Sequence, residues 1–265
     1  MNLGDMLSEL RTGILHDVSS LSSGTSDQLW SDATLVRYID EAQCRFARGS
    51  LVLRDGTTPE VTQVTIVAPV DGAAQTVYAL HPSVIAVISA QLVGDTADLA
   101  RAGHSAFQTY HTPDAYFFNP SYLGTLPPGK PLAWGTDEYL TADPYGTVGV
   151  VSLRLFPKPI PDYDGQVIGL RVLRIPLIRF NQSSDLSLTS EIPEQHHMDL
   201  LDWAAYLALR KVDIDAGMPD RAREFQQAFE AHVMEARKAM MRKLFTPLEW
   251  GFGRNGWSWD RDGPY

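Results

Sequence analysis

The hydrophobic pattern near the start of the chain predicts two amphipathic helices. The first has apolar residues at the three- to four-residue spacing of one helix face: Leu3, Leu7, Leu10 and Ile14. The serine-rich stretch 19–26 then favours a loop. A second stripe follows at helical spacing: Leu35, Ile39, Ala42 and Phe46. Ser31 or Asp32 can cap the first turn of this helix, and Gly49 is predicted to end it.

The period of the pattern changes to that of β-strands after Arg54. Four runs are rich in β-branched residues and bounded by Asp, Gly and Pro: 61–67, 84–93, 148–156 and 167–175. Five prolines between His111 and Pro131 predict a long irregular loop. Residues 55–185 are therefore expected to form an antiparallel β domain, either a small barrel or a sandwich.

Helical spacing returns after Ile192, and Pro193 suits the first helical turn. One apolar face follows: Met198, Leu201, Ala205, Ala208 and Val212. Residues 217–219 (Gly-Met-Pro) are predicted to end that helix and to open the last one. The last helix carries its own stripe: Ala222, Phe225, Phe229, Val233, Ala236 and Met240. An amphipathic helix pair is hard to bury alone, so we expect both chain ends to share one bundle.

The segment after this helix is rich in aromatic residues and glycine and has neither a helical nor a strand period. Its six aromatic side chains are Phe245, Trp250, Phe252, Trp257, Trp259 and Tyr265. Two interpretations stay open. The segment is either folded back over its own domain, or it is an extended arm whose tryptophans and tyrosine dock in a groove on another chain.

The predicted fold class is α+β, with a helical bundle from both chain ends, an inserted antiparallel β domain and an extended C-terminal arm. The helical domain comprises residues 1–54 and 186–242. The β domain comprises residues 55–185, and the arm comprises residues 243–265.

Composition and charge exclude several classes of protein. Among 265 residues, 22 Lys and Arg stand against 32 Asp and Glu, for a net charge of −10. This balance argues against an electrostatic clamp on DNA or on anionic lipid. Cys44 is the only cysteine, so a disulfide framework or a cysteine-based zinc site is excluded. No signal peptide and no apolar run of about 20 residues is present, so we expect a non-secreted protein without a membrane span.

Candidate chemical motifs do not have the context that their chemistry needs. Residues 251–256 read Gly-x-Gly-x-x-Gly, but nine residues after Gly256 cannot complete a βαβ unit. Adjacent residues on a helix point about 100° apart, so His196 and His197 would not converge on one ion. They are expected to be solvated residues of a first helical turn. We therefore predict no catalytic residues, no cofactor and no metal, and a protein that is not an enzyme.

Three parts of the chain carry a family resemblance. The predicted second helix has a recognisable set of residues: Trp30, Asp32, Leu35, Tyr38, Ile39 and Ala42. Residues 153–159 and 169–176 read as paired strands. The helix after them begins with a further set: Ile192, Pro193, His197, Leu200 and Ala204. In this order, over residues 1–245, they resemble the head-to-tail adaptor (connector) proteins of tailed bacteriophages.

This resemblance implies a structural virion protein at the head–tail junction, made in the host cytoplasm. It implies a homo-oligomeric ring of twelve subunits that joins the portal protein to a tail or nozzle protein. The C-terminal arm would dock on the portal, and DNA would pass through the lumen without specific binding. The alternative is a carbohydrate-binding or hydrolytic tail component, with Trp134, Tyr139 and Tyr145 as a sugar platform in the β domain.

Overall fold

A computed structural model of the chain describes residues 1–17, 29–72, 74–101, 127–137, 151–210 and 218–245. Within these residues lie five α-helices and eight strands, which confirms the predicted α+β class. The helices are α1 (Leu3–Ser8), α2 (Asp32–Ser50), α3 (Pro59–Thr62), α4 (His197–Leu209) and α5 (Met218–Phe245). The strands are β1 (Arg54–Asp55), β2 (Gln63–Thr65), β3 (Val77–Ala79), β4 (Val84–Leu92), β5 (Ala100–Arg101), β6 (Ala133–Asp137), β7 (Ser152–Phe156) and β8 (Val167–Arg174).

The N-terminal helices follow the predicted pattern with two differences. The first helix changes after Ser8 from α-helical to π-helical geometry over Glu9–Ile14. The predicted start of α2 is confirmed, because the Ser31 hydroxyl accepts a hydrogen bond from the Thr34 amide at 3.3 Å. The predicted stop at Gly49 is one residue early, since α2 continues to Ser50.

Gly49 allows α2 to approach α5 closely. A Cβ atom at this position would lie 2.5 Å from Cγ1 of Val233, well inside van der Waals contact. The absence of a side chain at Gly49 therefore lets α2 and α5 pack closely. Helix α2 ends at Ser50, and the next residue, Leu51, adopts left-handed backbone geometry with φ 58°.

The β region forms two four-stranded sheets. In the first, β8 pairs with β4 along one edge and with β1 and β2 along the other, all antiparallel. The second has the order β3-β7-β6-β5, and β5 runs parallel to β6. The expectation of a purely antiparallel domain is therefore wrong for that pair. The predicted strand 61–67 is also too long, because Pro59 opens one helical turn before β2.

The described residues contain two hydrophobic cores. Helices α1, α2, α4 and α5 fill the helical core, where Phe46 and Phe229 are among the largest buried side chains. Both sheets fill the β core around Trp134. The chain passes from one core to the other between Leu177, which packs on the β core, and Phe180, which packs in the helical core. The predicted domain boundaries stay a prediction.

Several sequence predictions fall outside the described residues. These are the loop at 19–26, most of the proline-rich stretch between 111 and 131, the first part of the run at 148–156, the helix positions Val212 and Gly217, and the arm beyond residue 245.

Candidate functional site

Helix α5 leads to the predicted docking arm. It has 28 residues and is therefore about 42 Å long. Ala236 is its last buried position among the described side chains, and residues 237–242 are exposed or half-buried. Phe245 is the last residue of the helix. The other predicted docking residues lie outside the described residues: Trp250, Phe252, Trp257, Trp259 and Tyr265.

A buried guanidinium joins the two cores. Arg174, at the end of β8, donates from Nε to Oδ2 of Asp55 in β1 over 2.7 Å. Its Nη1 and Nη2 donate to the two carboxylate oxygens of Glu191 at 3.0 and 3.1 Å. Glu191 lies in the segment that leads into α4. The Arg174 guanidinium therefore links β1 and β8 to that segment. Asp55, Arg174 and Glu191 are called the junction cluster below.

Hydrogen bonds keep the junction cluster charged despite its burial. Burial acts to raise the pKa of Asp55, but bonds from Thr57, Thr58 and Arg174 hold that pKa well below its usual range. Burial also acts to raise the pKa of Glu191. The Arg174 guanidinium and the Leu177 amide outweigh burial and lower that pKa. Both carboxylates therefore stay ionised at neutral pH.

A second polar group fixes the segment that connects the cores, residues 175–191, to α2. The Arg179 guanidinium donates to both carboxylate oxygens of Asp40 at 2.9 and 2.6 Å. The Phe180 amide donates to Asp40 Oδ1 at 2.8 Å. Gln43, one turn further along α2, donates to the carbonyl oxygen of Ile178 at 2.9 Å. The connecting segment is thus held at its start by side chains from the helical core.

The two adjacent histidines have structural partners. His197 is 1% exposed, and its Nε2 lies 2.8 Å from the carbonyl oxygen of Ile192. The expectation of a solvated residue is therefore wrong for His197, which is buried where the chain turns into α4. His196 contacts the Asp199 carboxylate at 2.8 Å and stacks near Phe46, with ring centroids 4.9 Å apart.

An acidic pair on α4 faces His232 on α5. The two ring nitrogens of His232 lie 3.6 Å from Asp199 and 3.7 Å from Asp202. Burial raises the pKa of Asp202 to about 6; His232 opposes this shift and Asp199 adds to it. Among the described residues, no group of three or more His, Cys, Asp or Glu side chains is placed to hold a metal ion.

The proposed sugar platform does not form around Trp134. This side chain is 1% exposed and packs in the β core, with the Arg101 guanidinium 5.5 Å from its ring centre. Trp134 is therefore a core residue, which corrects its assignment to a platform. Tyr139 and Tyr145 lie outside the described residues.

These polar groups bind one another and hold elements of the fold together. Residues 1–250 match the model of the SU10 adaptor protein family, and the chain belongs to that family. It is thus a bacteriophage structural protein, an adaptor and a component of the virion. The family match confirms the resemblance found in the sequence motifs. No curated protein matches the chain. None of the described helices is long and apolar enough to cross a membrane.

Proposed function

We propose that the chain is one subunit of a twelve-membered ring that joins the portal protein to a tail or nozzle protein. The family match over residues 1–250 carries this proposal. The helices from both chain ends form the bundle, residues 55–185 are the inserted domain, and residues 243–265 form the portal-binding arm. The shared core of α1, α2, α4 and α5 supports this frame.

The arm docks on the portal through its aromatic side chains. Trp and Tyr bury a large area and have few rotatable bonds, so fixing them on a partner loses little side-chain entropy. The exposed end of α5 supports an arm that starts at the surface of the helical core. Residues 219–265 hold eight basic and seven acidic residues, whereas the rest of the chain is strongly acidic. This end of the chain is therefore the part that repels an acidic partner least.

DNA passes through the ring without being bound specifically. A net charge of −10 on each subunit supports a lumen that repels phosphate groups. The protein acts as a structural adaptor at the head–tail junction and performs no catalysis.

Portal binding by arm variants tests the arm. We expect Trp257→Ser/Trp259→Ser to weaken capture of the full-length chain by purified portal roughly tenfold or more, because anchoring aromatics dominate such interfaces. The matched control Asn255→Ala/Ser258→Ala changes neighbouring polar residues and should bind as the natural chain does. Undiminished binding of the tryptophan variant overturns arm docking.

Quantitative mass spectrometry of purified virions tests the ring itself. About twelve copies per particle, equal to the number of portal subunits, is the expected result for a closed cyclic assembly. Absence of the chain from the particle would overturn the adaptor function altogether.

A further inference from the structure

One face of α5 combines exposed methionines with basic side chains. Met234, Arg237, Lys238 and Met241 are spaced by three and four residues, so they lie on the same side of the helix. All four are exposed, with Met234 at 52%. Over residues 235–245, four basic residues stand against one acidic residue. We call Met234, Arg237, Lys238 and Met241 the α5 patch.

A patch of opposite charge lies beside α1. The turn at residues 185–188 packs against this helix, with the Gly4 amide donating to the carbonyl oxygen of Leu186 at 2.9 Å. Leu186 is 52% exposed, and Asp5 and Asp185 are exposed on either side of this contact. Asp5, Asp185 and Leu186 are called the α1 patch.

The two patches lie on different elements of the helical core. Helix α1 packs on α2 and α4, and α5 packs on the same two helices. The first turn of α5 also reaches the π-helical continuation of α1, where Arg221 donates to the carbonyl oxygen of Ile14 at 2.7 Å. The basic, methionine-bearing patch lies further along α5, near its C-terminal end, whereas the acidic patch lies on α1 and the turn at residues 185–188.

We propose that the α5 patch of one subunit docks on the α1 patch of a second copy of the chain. The partner is a second copy because the same chain carries two complementary surfaces. The α5 patch combines apolar side chains with basic ones, and the α1 patch combines an apolar side chain with acidic ones. A contact between two different faces of identical subunits is heterologous and generates a ring when its rotation closes. This inference depends on the proposed ring and identifies the two surfaces through which neighbouring subunits contact each other.

Charge reversal on full-length chains tests the interface. We expect Arg237→Glu/Lys238→Glu to lower the fraction of chain in ring-sized particles roughly tenfold, measured by mass photometry with purified portal present. Lys158→Glu/Arg171→Glu makes the same change in net charge at exposed positions of the β region and should assemble normally. Circular dichroism checks that each variant is folded.

Crosslinking gives an independent measure. A zero-length carbodiimide reagent should join Lys238 to Asp5 or Asp185 between copies in the assembled particles. Adding Asp5→Lys to the reversed α5 patch should restore part of the assembly. Normal ring formation by the Arg237→Glu/Lys238→Glu variant would refute this interface but not the proposed ring. If the natural chain forms no ring in virions, the interface and the proposed function both fail.

Discussion

Removing the guanidinium of Arg174 should destabilise the protein more than removing every charge of the junction cluster. Arg174→Met leaves two carboxylates buried without their cation, and such a loss typically costs about 3–5 kcal/mol. The triple variant Asp55→Asn/Arg174→Met/Glu191→Gln leaves no buried charge. Replacement of a buried ion cluster by apolar residues is often close to neutral. The amides of the triple variant keep only part of the hydrogen bonding to Thr57, Thr58 and Leu177, so we expect it to lose about 1–3 kcal/mol, less than Arg174→Met.

Exposure and the remaining hydrogen bonds of the two carboxylates together predict how this cost divides. The Asp55 side chain is 3% exposed, whereas that of Glu191 is 20% exposed and keeps some contact with water. Asp55 keeps the hydrogen bonds from Thr57 and Thr58 when Arg174 is removed, whereas Glu191 loses two hydrogen bonds from the guanidinium. Glu191 is therefore the carboxylate that depends more on Arg174. Adding Glu191→Gln to Arg174→Met should recover more stability than adding Asp55→Asn.

The assay is urea unfolding followed by far-ultraviolet circular dichroism at several pH values. In the natural chain, the pKa values of Asp55 and Glu191 are lower in the folded than in the unfolded state. Their contribution to stability is therefore present at neutral pH and is lost as pH falls below about 4. Without Arg174, the pKa of Glu191 loses its main lowering influence and burial acts to raise it, while Thr57 and Thr58 still lower the pKa of Asp55. Glu191 in the variant therefore becomes protonated at a higher pH than in the natural chain.

The stability difference between the natural chain and Arg174→Met should consequently be largest near pH 7 and shrink towards pH 4. A difference that stays constant over this range would show that lost packing, rather than buried charge, causes the effect. A triple variant as unstable as Arg174→Met would refute the reasoning as well.

Three further predictions concern single elements. Gly49→Ala should lower the unfolding free energy by about 1 kcal/mol, because the clash with Val233 exceeds the gain in helix propensity; in a Val233→Ala background the same change should become stabilising in urea unfolding. Asp202→Asn should stabilise the protein by up to about 3 kcal/mol at pH 7.5 and have little effect near pH 3, below the pKa of the unfolded state. The reason is that the pKa of Asp202, raised to about 6, makes its ionisation unfavourable in the folded state as pH rises. Ser31→Ala should cost about 1 kcal/mol in thermal unfolding through loss of the α2 cap, and Ser31→Asp should restore most of it.

Features that depend on nearby residues could be predicted from the sequence. Ser31 caps α2 through an amide three residues away, and the start of α2 was predicted correctly. The β-branched run 84–93 became β4, and 167–175 became β8, because their composition favours strands. The family resemblance also rested on the local motifs of such elements and is confirmed by the match over residues 1–250.

Features that depend on distant residues could not be predicted in the same way. Asp55 and Arg174 are 119 positions apart, so neither residue signals its partner. In the sequence, residues 55–56 read only as an Asp-Gly turn, and Arg174 reads only as part of the strand run 167–175. The parallel pairing of β5 with β6 escaped prediction for the same reason, since most of the chain between them carries no strand signal.

We expect the junction cluster to matter more for geometry than for net stability. Buried ion clusters contribute little compared with apolar residues of the same volume, so Arg174 is poorly explained as a stabiliser alone. The hydrogen bonds of the guanidinium to Asp55 and Glu191 need one arrangement of β1, β8 and the chain entering α4. Apolar side chains lack such directional bonds, so we expect them to define the relative position of the two cores less closely. A fixed arrangement is what an adaptor needs if its two cores contact different partners, because any rotation between the cores would misplace one of those contacts.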